Sequence, residues 1–399
     1  MCYNIHWEAM RVVRGFDYCF QRFAIWLISI LARVLFRARR QVLDRPQGGC
    51  LLFCNHTSIW DFADLLYAVK PRAHFRFVAT NEQFEKSRLF AWVLTHLGLI
   101  KKHQGAQDLN CVREIIKAVR AGETVAIYAS GMTSFDGRQA WDALPGAGTL
   151  AHMLKCPVYT ALIEGGFMSS PRYAHRRFKG RVDISVRRLL TGEESAALSA
   201  QEIQTRVNAA LNFNEWDWQE KNRVPFKPFK DLRGITNVLY TCPACGGEYT
   251  LGIKGARIEC ACGFSAERDA YGFFTSDNPA CPRRMDRWAD MEYAALRRVI
   301  EEGKLELTAS AELSVKQDAG AYAPRGKGLL RFTNEALTFT GENESLRFAP
   351  DKFQFMVLND IDRLRFTAEG KSYSFVFSDT RVIDKWFFAH RILVNGVTY

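Results

Sequence analysis

Between residues 50 and 212, short apolar runs alternate with stretches of helical periodicity. The strand-like runs are Cys50–Cys54, Phe75–Ala79, Thr124–Tyr128, Pro157–Ile163 and Val182–Val186. Between them, Asp61–Val69, Glu82–Leu97, Asp108–Ala121 and Gly148–Leu154 have the spacing of helices. Ser199-x-x-Glu202 then opens another helix with a capping box. This alternation predicts an α/β layer fold. No Gly-x-Gly-x-x-Gly follows the first strand and no P-loop occurs, so a dinucleotide fold is disfavoured.

The pattern differs on both flanks. Phe23–Ala32 is uncharged and apolar, and Val34, Leu35 and Phe36 extend it between Arg22, Arg33 and the basic Arg37, Arg39 and Arg40. The run is shorter than the roughly 20 residues that span a bilayer. It reads as a helix lying in the interface or dipping into one leaflet, against the plainer alternative of a helix packed on the domain that follows. Toward the other end, Trp288, Met291, Ala295 and Val299 stand at helical spacing within residues 284–303. Period-two segments follow at Leu329, Ala336, Phe353, Leu364 and Tyr373, and a final helix starts at Ser378 or Asp379. Several antiparallel strands closed by one helix resemble a pleckstrin-homology or GRAM-like barrel. That implies lipid or partner binding, or equally a plain scaffold.

Composition narrows the anionic partner. The chain has 399 residues, is 48% hydrophobic and carries a formal charge of +11. General disorder is excluded, and two or three domains fit the length. The charge suits membrane phospholipid, CoA, an acidic carrier or nucleic acid. Residues 1–46 hold eight Arg against three acidic residues, which favours an anionic membrane surface. Eleven cysteines without a cleavable signal argue for a reducing cytosolic setting.

Two clusters carry candidate chemistry. His56 and Asp61 stand five positions apart where the first strand gives way to a helix. A histidine oriented by a carboxylate removes a proton from a hydroxyl near neutral pH. The structural alternative makes Ser58-x-x-Asp61 a capping box and His56 a loop residue. His103 and Asp108 repeat the spacing in a polar segment and read as coincidence. The second cluster is Cys242-Pro-Ala-Cys245 and Cys260-Ala-Cys262, each pair followed by a glycine. Two close thiolate pairs suit tetrahedral zinc and resemble a zinc ribbon. A redox dithiol at Cys242 and Cys245 is the rival. A closed four-thiolate site has no open position, so this zinc is structural and no redox cofactor is expected.

Asn55-His-Thr-Ser-Ile-Trp-Asp61 resembles the NHxSxxD block of the glycerolipid acyltransferase family. The resemblance continues in order through Leu97–Lys102, Ile127–Gly137 and Cys156–Ile163, over roughly residues 45–220. It implies that His56 is a general base and Asp61 its orienting acid. It also places Lys101, Lys102, Ser130, Gly131, Thr133 and Ser134 beside the substrate. The family's third block reads Pro-Glu-Gly-x-Arg-Ser, whereas Ser130 and Thr133 stand here for the glutamate and arginine. The second block's phosphate-gripping arginine aligns with Gln104, or with Lys101 or Lys102. Lysine offers a point charge where arginine grips in two places. Seven basic residues between Arg172 and Arg188 are another source of cations.

The resulting layout is a membrane-associated helix (1–46), an α/β acyltransferase domain (47–220), a linker (221–240) containing Pro225, Pro228 and Gly234, a zinc ribbon (241–283), and a helix with a PH-like β domain (284–399). The expected reaction moves an acyl group from acyl-CoA or acyl carrier protein to a lysophospholipid hydroxyl, at the cytoplasmic face of the cell membrane. Two other readings stay open: a non-catalytic lipid-binding homologue and a zinc-ribbon nucleic-acid binder. The ribbon carries no basic stripe, which counts against the second.

Overall fold

A computed structural model describes residues 2–35, 37–70, 75–85, 87–102, 108–139, 142–143, 146–317, 322–353, 356–357 and 362–396. The chain forms two compact units, Met1–Pro171 with Arg177–Phe226, and Arg172–Arg176 with Lys227–Tyr399. Phe36, His103 and Gln104 lie outside the described residues.

The first unit runs α1 (Cys2–Leu35), β1 (Ala38–Val42), β2 (Cys50–Cys54), α2 (Asp61–Val69), β3 (Phe75–Thr80), α3 (Asn81–Glu85), α4 (Arg88–His96) and β4 (Leu99–Lys102). It continues with α5 (Leu109–Arg120), β5 (Thr124–Tyr128), α6 (Gly146–Leu154), β6 (Val158–Glu164), α7 (Gly166–Ser169), β7 (Val182–Leu190), α8 (Gly192–Ala197), α9 (Ala200–Leu211) and α10 (Glu215–Asn222). One sheet takes the order β1-β7-β6-β2-β5-β3-β4. The run β6, β2, β5, β3, β4 is parallel throughout. β7 is antiparallel to β6 and parallel to β1. The carboxyl ends of those five strands therefore share an edge with the amino ends of β7 and β1.

β2 shows how the sequence builds this layer. All five of its residues are buried, as a central parallel strand requires. Cys50, Leu52 and Cys54 face a core with Leu65, Leu66 and Val69 of α2. Leu51 and Phe53 point the other way, to Ile115 of α5, Leu150 of α6 and Val207 of α9. The side-chain period of two delivers one strand to both faces.

Differences from the expected elements have local causes. The helix expected over Glu82–Leu97 is two helices, and Ser87 starts the second by accepting a bond from the Phe90 amide (3.1 Å). β1 and β4 were not anticipated. Both are edge strands, short and rich in Arg or Lys, as edge strands tend to be. The capping box at Ser199 and Glu202 forms as expected.

α1 is held from one side. Gln21 is buried and donates to the carbonyls of Phe75 (3.1 Å) and Leu97 (2.8 Å). Ala32, Ile25 and Ile28 join the core. Phe23, Trp26, Leu27, Ile30, Leu31 and Val34 are exposed at helical spacing along the other face. Among the described residues, no helix is long and apolar enough to cross a membrane.

The second unit holds β8 (Leu251–Lys254), β9 (Arg257–Cys260), β10 (Ser265–Arg268) and β11 (Phe274–Thr275) in an antiparallel ribbon. α11 (Met285–Glu301) follows. β12 (Glu306–Gln317), β13 (Ala323–Thr333), β14 (Leu337–Gly341), β15 (Ser345–Phe348), β16 (Met356–Val357), β17 (Arg363–Ala368) and β18 (Lys371–Phe377) complete the strands, and α12 (Ile383–Asn395) ends the fold. The last seven strands form one antiparallel sheet, β15-β14-β13-β12-β18-β17-β16. Trp386 of α12 packs on Phe332 and Phe377 of that sheet.

The buried face of α11 is not the one the spacing suggests. Trp288 is buried, but Ala295 and Val299 are exposed; Glu292, Tyr293, Leu296 and Ile300 are inside. The buried Glu292 explains the shift. Its carboxylate accepts from the amides of Tyr240 (2.7 Å) and Thr241 (2.6 Å), and Trp288 donates to the Thr241 carbonyl (2.9 Å). Hydrogen bonds let a charged residue occupy the packed face, which an apolar pattern cannot register.

Candidate active site and metal centre

β2 ends at Cys54, and the next six residues form a tight turn into α2. Asn55 continues the strand with its side chain. Its amide nitrogen donates to the Ile163 carbonyl (2.8 Å) and its oxygen accepts from the Ile163 amide (2.8 Å). This clamps the turn to β6. Gly166 completes the fit, because a Cβ there would lie 2.1 Å from Thr57 Oγ1. His56 is thus presented at the carboxyl edge of the sheet, where open α/β folds bind ligands.

Asp61 is fully buried and collects donors from the whole turn. Thr57 donates through its amide (2.6 Å) and hydroxyl (2.7 Å), and Ser58 through its amide and hydroxyl (both 3.0 Å to Oδ1). His56 Nδ1 lies 2.8 Å from Asp61 Oδ2. A carboxylate only accepts, so this contact assigns the proton to Nδ1 and leaves Nε2 with its lone pair. The capping box expected at Ser58 and Asp61 does not form: the N-cap of α2 is Trp60, without a side-chain cap bond, and the Ser58 hydroxyl donates to Asp61 instead of accepting from its amide. The imidazole stacks on Tyr128 at 4.3 Å with an angle of 17°. It remains partly accessible, with 18% side-chain exposure.

The third block is tied to this turn, since the Ser134 amide donates to the His56 carbonyl (2.9 Å). Gly131 has φ +71°, which lets the loop reverse there without strain. Ser130 donates to the Met132 carbonyl (2.9 Å) and Ser134 to the Arg138 carbonyl (2.6 Å). Each of these hydroxyls has one proton and uses it inside the loop. Both they and Thr133 are buried. Lys101 and Lys102 end β4, at the same sheet edge as His56 but three strands from β2. Lys101 Nζ sits 4.7 Å from the Phe84 ring centre.

Three residues near the dyad were not named individually from the sequence. Asp64, one helical turn after Asp61, is buried and neither of its carboxylate oxygens has a hydrogen-bond partner. Burial pushes its pKa up to about 7, against the pull of Arg177. Arg177 lies 5.6 Å over the Trp60 ring and donates to Ser169 Oγ (2.8 Å). Glu215 is buried, accepts from the Met168 amide (3.1 Å), and is pushed up to about 8 by desolvation. Helical spacing from Asp61 could have flagged Asp64, and Arg177 belongs to the basic run Arg172–Arg188; nothing local could have flagged Glu215.

Asp64 makes stability depend on pH in a defined direction. Its folded pKa lies above the unfolded value of 3.8, so its contribution is full below about 3.8 and is lost as pH rises through about 7. Asp64→Asn is therefore expected to stabilise the fold relative to wild type increasingly from pH 4 to pH 8. Urea midpoints at several pH values measure the difference; a gain that shrinks with pH would contradict the assignment.

In the second unit, Cys242 and Cys245 precede the ribbon, Cys260 ends β9 and Cys262 lies in the β9–β10 turn. Their four sulfurs lie within 4.8 Å of one another. Cys242 and Cys262 Sγ are 3.7 Å apart, and Cys245 and Cys260 Sγ 3.9 Å. Tetrahedral zinc with bonds near 2.3 Å needs sulfurs about 3.8 Å apart, so the four residues fit a metal ion of that kind. All four are free thiols, not disulfides. Gly246 (φ +71°) and Gly263 (φ +95°) close the two turns in the left-handed region.

A mostly parallel sheet that presents a His–Asp pair at its carboxyl edge is an α/β domain with a candidate general base. Residues 33–164 match the model of the Acyltransferase family. That match spans about a third of the chain and includes His56 and Asp61. Among solved structures, the 1-acyl-sn-glycerophosphate acyltransferase PlsC from Thermotoga maritima is similar at 18% identity and TM-score 0.39, covering 48% of this chain and 78% of that one. The Ran-binding domain of NUP2 from Ashbya gossypii is similar at 12% identity and TM-score 0.18, covering 22% of this chain and 97% of that one. The linker-DH/PH domains of p115-RhoGEF give 8% identity and TM-score 0.17, covering 29% and 44%. No curated protein matches the chain.

Proposed function

We propose that the protein transfers an acyl group from a thioester, on CoA or an acyl carrier protein, to a hydroxyl of a lysophospholipid such as 1-acyl-glycerol-3-phosphate. The observation that carries this is the His56–Asp61 contact at 2.8 Å, with Nε2 left as the base. His56 Nε2 takes the proton of the acceptor hydroxyl as its oxygen attacks the thioester carbonyl. Asp61 holds the tautomer and stabilises the imidazolium, and the Tyr128 ring face supports the same cation. The tetrahedral intermediate expels the thiolate, which recovers a proton from the imidazolium.

The exposed apolar stripe of α1 supports docking on one leaflet of the cytosolic membrane face, with the basic residues after it at headgroup level. Four thiolates in the second unit hold a structural zinc ion, and the sheet with α12 is a PH-like lipid- or partner-binding module. The altered third block favours a second reading, a lipid binder without turnover, because no arginine stands at Thr133. Thioester release measured against a panel of lysophospholipids and other hydroxyl acceptors decides between them. Acceptor-dependent release, highest with lysophosphatidate, is expected; no release with any acceptor would establish the non-catalytic reading.

A further inference from the structure

At the same sheet edge as His56, but on the far side of β6 and β7, four arginines gather. Arg37, Arg39, Arg181 and Arg223 line a cavity of about 250 Å³ together with Asn222. Sheet order separates β1 from β2 by three strand spacings, roughly 14 Å. Arg181 is held in place, donating to Asp183 and to Asn222 (both 3.0 Å). Arg39 stands opposite Asp183 in the β1–β7 register. Four arginines line the cavity, and Asp183 with Glu164, its partner in the β6–β7 register, supplies carboxylates beside it, so positive charge is in excess.

The backbone sets how two of these side chains are presented. Arg37 (φ +49°) and Arg223 (φ +48°) are both left-handed, Arg223 as the C-cap that ends α10, a conformation that costs a residue with a Cβ more than glycine. Glycine would take either position without strain. Two of the six such residues described therefore carry their side chains to one cavity. The apolar stripe of α1 also ends at Val34, three residues before Arg37, so the cavity lies where a lipid's apolar and charged parts would divide.

We propose that this cavity binds the headgroup phosphate of an anionic phospholipid in the leaflet on which α1 lies. The proposal rests on the membrane-docking part of the function proposed above. Arginine is suited to it, since its planar fork grips two phosphate oxygens at once. The acceptor's own phosphate is a few bonds from the hydroxyl that His56 serves, too close to reach a site roughly 14 Å away. The cavity is thus a second lipid site that seats the domain rather than part of the reaction centre.

The test is co-sedimentation of the full chain with phosphatidylcholine vesicles, with and without phosphatidic acid. Wild type is expected to prefer vesicles containing phosphatidic acid. Arg37→Gly with Arg223→Gly should weaken that binding about 30-fold, at about 1 kcal/mol per arginine near an anionic surface. Because glycine relieves the left-handed strain, the melting temperature of this variant should not fall. Arg113→Ala with Arg120→Ala removes equal charge from exposed positions of α5 and should cost much less. An equal loss in that control, or no preference in wild type, would overturn the site. Phe23→Asp with Trp26→Asp should abolish binding to both vesicle types; if it does not, membrane docking by α1 fails instead. Calorimetric titration with inorganic phosphate separates the sources. Arginine-dependent phosphate binding without vesicle preference overturns the lipid headgroup in favour of a soluble phosphate ligand.

Discussion

His56→Ala is expected to lower acyl transfer by at least 10²–10⁴-fold, the usual contribution of a positioned base. The loss should fall on kcat, with little change in KM for the thioester, because Nε2 acts only as the hydroxyl is deprotonated. The fold should survive. His56 is partly exposed, and Asp61 keeps its bonds from Thr57 and Ser58 when the imidazole is gone. Asp61→Asn should be nearly as damaging to turnover and worse for stability. An amide at that position can offer the imidazole a donor, which allows the wrong tautomer, and it presents one acceptor oxygen to a turn that fills two. Free thiol release with a chromogenic thiol reagent, alongside a melting curve, checks both variants. Wild-type turnover in His56→Ala would end the assignment of the base.

The second large effect concerns the four cysteines. One zinc per chain is expected in protein purified without chelator, and its removal should unfold the ribbon over residues 241–283. Structural zinc sites supply roughly 10–16 kcal/mol in finger peptides at neutral pH, far beyond any single packing contact. Cys242→Ser should act like chelation. Cys242 is buried, and the adjacent Thr241 amide is bonded to Glu292 of α11, so loss of the site also strips a buried carboxylate of a partner. Metal analysis, a chelator-dependent melting temperature and proteolysis within 241–283 are the measurements. A chain stable without metal, and weakened by reductant instead of chelator, would restore the redox reading of Cys242 and Cys245.

The two sites were legible for the same reason: their residues are close along the chain. His56 and Asp61 share one turn, and each cysteine pair sits in one knuckle. Local geometry leaves little freedom over two to five residues, so spacing nearly specifies contact. The central strands were legible too, because a strand buried on both faces must be apolar throughout. Edge strands β1 and β4 escaped because one solvated side lets Arg and Lys fill them. The inner face of α11 escaped because Glu292 is buried by backbone amides rather than by apolarity.

The sequence by itself determined the alternating α/β layer, the close pairing of His56 with Asp61, and the quartet of thiols. Only the tertiary structure decided what surrounds them. It placed Tyr128 against His56, left Asp64 buried and unpartnered, and used the hydroxyls of Ser130 and Ser134 to close the third block. It also joined Arg37, Arg39, Arg181 and Arg223, which are up to 186 positions apart, into one cavity. Charge and burial are properties of neighbours in space, and neighbours that distant in the chain meet only when the sheet is assembled.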